Sequence, residues 1–147
     1  MKWQDQINYL QDQINYLYNK LIKFTSIFYK IRTKLPQEVL RMIYFAFVHT
    51  HILYGVEVYA TTTSNHLSKL TVLNNKLLHI LQNKSVKTHN TELYQTYSTL
   101  PIHLLHNYQL LVFIHKYVHL RTKLPAVFST YLEENRLVHH YNTRQKR

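Results

Sequence analysis

Trp3, Ile7, Leu10, Ile14, Leu17, Leu21, Phe24, Phe28, Ile31 and Leu35 step along the chain by alternate fours and threes without a break. Apolar residues spaced that way share one face of an α-helix, so the pattern predicts a long N-terminal helix carrying a heptad seam. Within it Gln4–Leu10 is repeated identically as Gln11–Leu17. A seven-residue duplication lengthens a helix by two turns, about 10 Å, and keeps the seam in phase. The positions flanking the seam are Gln4, Gln6, Gln11 and Gln13 rather than charged pairs, which weakens a dedicated coiled-coil reading.

Pro36 closes that segment, and a second helix is predicted from Gln37 to about Tyr59. Its centre, Met42 to Val48, is apolar all round, as in a helix buried on most sides. Gly55 lies late in it and reads as a bend or a close helix approach, since no second glycine is present to build a phosphate loop. After the polar turn at Thr61–Asn65, a third helix carries Leu67, Leu70, Leu73, Leu77, Leu78 and Leu81 on one side. Residues 83–90 form a basic loop, a short helix follows near Glu92–Tyr97, and Pro101 opens a last long helix to about Leu120. A further short helix is expected over Ala126–Leu132. The fold class expected is all-α: a bundle of about five to six helices, with residues 1–132 as its domain and residues 133–147 as a loose basic tail.

The pentapeptide Arg-Thr-Lys-Leu-Pro occurs at Arg32–Pro36 and again at Arg121–Pro125. Both sit where a helix should stop, with basic residues at the negative end of the dipole and proline blocking propagation. The flanking sequences do not match, so convergence on a helix stop accounts for the repeat better than duplicated domains.

Charge narrows the partners. Eighteen Lys and Arg against seven Asp and Glu give a formal net charge of +11 over 147 residues. That balance favours nucleic acid or another anionic surface and disfavours cationic ligands. The residues expected to touch the phosphate backbone are Lys20, Lys23, Lys30, Arg32 and Lys34 near the end of the first helix, Lys84 and Lys87 in the basic loop, and Arg144 in the tail. Tyr18, Tyr29, Tyr94 and Tyr97 lie among these charges, where they either stack on bases or pack within the fold. Without cysteine the chain has neither a disulfide framework nor a thiolate metal site. No signal peptide and no membrane-spanning run is visible, so an intracellular location is expected, cytoplasmic or nuclear, with no membrane partner.

Catalytic chemistry is not expected. The acids are Asp5, Asp12, Glu38, Glu57, Glu92, Glu133 and Glu134, and their spacing suggests no convergent pair for metal-assisted phosphoryl transfer or general acid-base hydrolysis. His115 and His119 lie four apart and His103 and His106 three apart, spacings able to clip a metal. Lys116 stands where the zincin motif needs Glu, and a structural or surface role is the expectation for both pairs. No cofactor is expected.

The order of landmarks resembles one family. Trp3, Ile14 and Asn19–Ile22 are similar to the junction after the palm of non-LTR retrotransposon reverse transcriptases of the jockey-like kind. Tyr29–Arg32, the Leu35-Pro36 turn, Tyr54-Gly55-Val56-Glu57-Val58-Tyr59, the helix from His66 to Lys76 and the closing His139–Arg144 continue the likeness in order. The resemblance covers essentially the whole chain. It implies a thumb-like helical segment that grips primer-template through the backbone, with the polymerase palm as partner in the parent protein. The aromatic-x-Asp-Asp box of that palm does not occur here, and the heptad duplication exceeds the family's spacing. The resemblance thus implies a non-catalytic fragment of an RNA-directed DNA polymerase with weak, sequence-independent nucleic-acid binding. Two alternatives stay open. One is a helical interaction module that forms a homodimer through the first helix, using Ile7, Leu10, Ile14, Leu17, Leu21 and Phe24; the other is a retroelement remnant with no function.

Overall fold

A computed structural model describes residues 2–60, 64–120 and 125–129, and every regular element among them is helical. The helices are α1 (Lys2–Ile22), α2 (Phe24–Ile31), α3 (Gln37–Tyr44), α4 (Thr50–Leu53), α5 (Val56–Tyr59), α6 (Ser64–Leu81), α7 (Asn90–Tyr97) and α8 (Ile102–His119). A π-helical turn, Phe45–His49, joins α3 to α4, and a 3₁₀ turn covers Ala126–Ser129. The expected all-α bundle of about six helical segments is therefore present, with two of the segments subdivided. Residues pack as two compact units, Met1–Gln109 and Leu110–Arg147. The boundary expected at 132/133 and the loose tail lie outside the described residues.

In the first unit α6 is the central helix and packs against α1, α2, α3 and α7. Leu70, Leu73, Leu77, Leu78, Ile80 and Leu81 are buried along it, which is more of its circumference than one leucine face. Ile14, Leu17, Leu21 and Phe28 close the core from α1 and α2, and Leu40, Tyr44, Val48, Ile52, Val56 and Tyr59 close it from the Gln37–Tyr59 segment. The N-terminal seam is thus covered from Ile14 to Phe28 by helices of the same chain, chiefly α5 and α6. Of the residues expected to face a second copy, Ile14, Leu17 and Leu21 are buried, Leu10 and Phe24 are half-buried, and Ile7 is 42% exposed. Burial along the seam falls off within the first heptad copy, where Leu10 still packs against the core and Ile7 does not.

The segment from Met42 to Val48 departs from expectation. Only Tyr44 and Val48 in it are buried, while Met42 is 69% and Phe47 50% exposed. The segment lies on one side of the bundle, so a helix apolar all round buries only the face turned to α6. The π turn falls inside this run, and the Thr50 hydroxyl donates to the Ala46 carbonyl at 2.7 Å just after it. Such a back-bond competes with the regular ladder and accompanies local bending.

Helix ends follow local chemistry. Pro36, extended at φ −66° and ψ 154°, precedes the first turn of α3. Gly55 has φ +74°, the left-handed conformation that glycine adopts without a Cβ penalty, and it turns α4 into α5. A Cβ there would meet nothing within 4 Å, so Gly55 serves the bend and not a close approach. Asn83 (φ +50°) and Ser98 (φ +53°) stop α6 and α7 in the same left-handed region. After α6, Lys84 N–H donates to His79 O and Asn83 N–H to Ile80 O; after α7, Thr99 N–H donates to Tyr94 O and Ser98 N–H to Gln95 O. Both are Schellman stops built without glycine.

Candidate nucleic-acid interface

The basic residues fall into separate places. Lys20, Lys23, Lys30, Lys34, Lys84 and Lys87 are exposed and Arg32 is half-buried; Arg144 lies outside the described residues. Two of the groups are brought to one end of the first unit. Gln37, at the start of α3, donates from Nε2 to the Leu81 carbonyl at the end of α6 at 3.2 Å. That bond joins the Arg32–Pro36 turn, which carries Lys34, to the chain entering the Lys84–Lys87 loop.

Lys84 is already engaged: its ammonium lies 2.8 Å from Glu92 Oε1, with both side chains about half exposed. A pair that exposed is worth little to stability, but it removes one of the positive charges offered to a phosphate. Lys20 and Lys23 belong elsewhere. Lys20 sits 5.7 Å from the Tyr16 ring centroid and acts on His51 of α4. Lys69, on α6, flanks the opposite edge of α1's buried stripe, 4.4 Å from the Tyr18 ring and 3.4 Å from Asn15 Oδ1. Helix packing, not sequence spacing, brings Lys69 beside Tyr18.

The tyrosines divide by burial. Tyr29 is exposed beneath the Arg32 guanidinium, 4.7 Å from ring centroid to Cζ, and Tyr18 is half-buried under Lys69. These flat cationic surfaces are the arrangement on which bases or sugars stack. Tyr94 and Tyr97 are buried and belong to the core. Burial raises the Tyr94 phenol and pushes that of Tyr97 up to about 12, against the opposing pull of Arg41. Tyr44 and Tyr59 are raised further by burial. Tyr44 donates to Asn74 Oδ1 at 3.1 Å, Asn74 donates to the Tyr94 oxygen at 3.2 Å, and Tyr94 donates to Asn75 Oδ1 at 2.5 Å. Tyr59 donates to the Ile52 carbonyl. These phenols are committed as donors within the fold and do not form exposed stacking surfaces.

A groove of about 600 Å³ opens between α6, α7 and the start of α8. Thr71, Asn75, Asn90, Thr91, Tyr94, Gln95, Ser98, Thr99, Leu100, Pro101, His103 and Leu104 line it. None is Lys or Arg, so the groove adds no cationic side chain to the basic groups above.

Asp5, Asp12, Glu38, Glu57 and Glu92 are all exposed; Glu133 and Glu134 lie outside the described residues. Among the described residues no group of three or more His, Asp and Glu converges, and no helix is long and apolar enough to cross a membrane. No family model, curated protein or solved structure matches the chain.

Proposed function

We propose that this chain is a non-catalytic helical segment related to the post-palm, thumb-like region of non-LTR reverse transcriptases, which binds nucleic acid weakly through the phosphate backbone. The relationship rests on the ordered landmarks from Trp3 to Arg144, and the binding rests on the +11 charge. The observation that carries the interface is the Gln37–Leu81 bond, which draws the Lys34 turn and the Lys84–Lys87 loop to one end of the unit. Arg32 over Tyr29 adds a stacking surface at the end of α2.

Spread over several short elements, the charges suit a flexible polyanion and carry no base-reading geometry, so recognition is independent of sequence. Fluorescence anisotropy with short labelled single-stranded RNA and duplex DNA, titrated from low to physiological salt, tests the binding. Affinity that falls linearly in log-log form with salt supports it, whereas no change in anisotropy at low salt overturns it.

A further inference from the structure

We propose that His115 and His119 form a two-histidine site for a late first-row divalent metal ion, of the Zn²⁺, Ni²⁺ and Cu²⁺ class. They lie four residues apart on α8, with ring centroids 4.7 Å apart and planes inclined by 45°. Both side chains are exposed, and neither ring has a hydrogen-bond partner among the described residues.

The distance is the one a chelate needs. With metal–nitrogen bonds of about 2.0–2.1 Å and ligand angles between about 90° and 109°, two imidazole centroids sit about 4.4–5.2 Å apart. The ring spacing therefore lies within the range of a chelate, and the i, i+4 placement on one helix face lets side-chain rotation bring one nitrogen of each ring to a common ion. Neutral imidazole suits Zn²⁺, Ni²⁺ and Cu²⁺, and the absence of a carboxylate in the pair disfavours Mg²⁺ and Ca²⁺. The position helps as well. His119 is the last residue of α8, where the unpaired carbonyls leave partial negative charge that favours a bound cation. Lys116 follows His115 and so lies about 100° around the helix from it, off the chelating face.

The other pair on α8 lacks this arrangement. His106 Nε2 is buried while His103 is exposed, so the two rings are in different surroundings. His115 and His119 supply two ligands, and water completes the coordination. With no hydrogen-bonded carboxylate or carbonyl among the described residues orienting either ring, the affinity is modest, and a metal bridging one turn stiffens the end of α8.

The test is isothermal titration of the full chain, made without a polyhistidine tag, with Zn²⁺, Ni²⁺, Cu²⁺ and Mg²⁺ separately. The expected result is one component that strengthens toward Cu²⁺ and is absent with Mg²⁺. His115→Asn and His119→Asn should each weaken it by about tenfold or more, while His103→Asn leaves it unchanged. Sub-stoichiometric Cu²⁺ should broaden the imidazole NMR signals of His115 and His119 first. Both residues are exposed, so circular dichroism should show the variants folded. A component of undiminished affinity in either single variant, broadening centred on other histidines, or no uptake of Zn²⁺, Ni²⁺ or Cu²⁺ by the native chain would overturn the assignment.

Discussion

Tyr44 donates its hydroxyl to Asn74 Oδ1 at 3.1 Å, a buried bond that ties α3 to the central helix α6. Asn74 is 1% exposed and uses its amide to donate to the Tyr94 oxygen, so one side chain satisfies partners on two helices. Tyr44→Phe leaves Asn74 Oδ1 without its donor and should cost about 1–3 kcal/mol. Asn74→Ala also opens a cavity and should cost more. Combined with Tyr44→Phe, Asn74→Leu should destabilise by less than the sum of the two single changes, because each single change strands a polar group that the double change removes. Urea denaturation of Tyr44→Phe, Asn74→Ala, Asn74→Leu and the Tyr44→Phe/Asn74→Leu double variant measures this; strict additivity in the Phe/Leu cycle would show that the bond contributes nothing.

Ile7 and Ile14 hold the same place in two identical heptads, yet one is 42% exposed and the other 1%. Ile14→Ala should therefore cost about 2–5 kcal/mol and Ile7→Ala no more than about 0.5 kcal/mol. Removal of residues 4–10 keeps the seam in phase and should leave the melting temperature within a few degrees of the full chain. Thermal unfolding followed by circular dichroism checks all three. Equal losses at Ile7 and Ile14 would mean that the first copy is buried in solution, for instance against a second molecule.

That pair also shows what was legible in the sequence. The period of the seam, Pro36 and the leucine face of α6 are local signals, and they placed the helices correctly. Which copy of a repeat is covered depends on where the partner helices end, and no local pattern records that. For the same reason Met42 and Phe47 read as core and are exposed. The place of Lys69 over Tyr18 arises from the packing of α6 on α1. The turn at Lys34 and the loop at Lys84 are far apart in sequence and meet only through Gln37 and Leu81.

Left-handed residues at the helix junctions predict opposite effects for glycine and for its replacement. Gly55→Ala places a Cβ at φ +74° and should destabilise by about 1–2 kcal/mol, although there is space for the methyl group. Ser98→Gly and Asn83→Gly relieve the same strain at exposed positions. Each should stabilise by up to about 1 kcal/mol, less at Asn83 because asparagine tolerates this region. Denaturant midpoints for the three variants provide the check, and a gain of stability in Gly55→Ala would contradict the assigned bend.

Stability should fall on the alkaline side from pH about 10. Tyr44, Tyr59, Tyr94 and Tyr97 are all held protonated by burial, Tyr97 up to about 12. Their contribution is complete below the unfolded tyrosine value of about 10 and is lost as pH rises toward the folded values, because there the unfolded chain has released protons that the native chain retains. Each tyrosine gives a slope of up to about 1.4 kcal/mol per pH unit in that window. His49 acts on the acid side: burial lowers its pKa, so its contribution is present above about 6.5 and is lost as pH falls. Urea midpoints from pH 5 to pH 11, with tyrosinate absorbance followed in parallel, test both limbs. A flat profile above pH 10 would show that the phenols are not buried.

At the proposed interface Glu92 would compete with phosphate for Lys84, since the two side chains already meet at 2.8 Å. Glu92→Gln keeps the side-chain shape, removes the negative charge and so loosens its hold on the Lys84 ammonium. Nucleic-acid binding at the Lys34 and Lys84–Lys87 end should then tighten, and the salt slope should steepen by about 0.7–0.9, the increment for one additional phosphate contact. Lys87→Gln should reduce the slope by about the same amount. Lys84→Gln in the native background should do less, because its charge is partly neutralised before the ligand arrives. Folding is little affected in any of them, since an exposed pair contributes at most about 1 kcal/mol. Anisotropy titrations at several salt concentrations separate the three variants. If Glu92→Gln leaves both affinity and slope unchanged, phosphate does not bind at Lys84 in the α6–α7 loop.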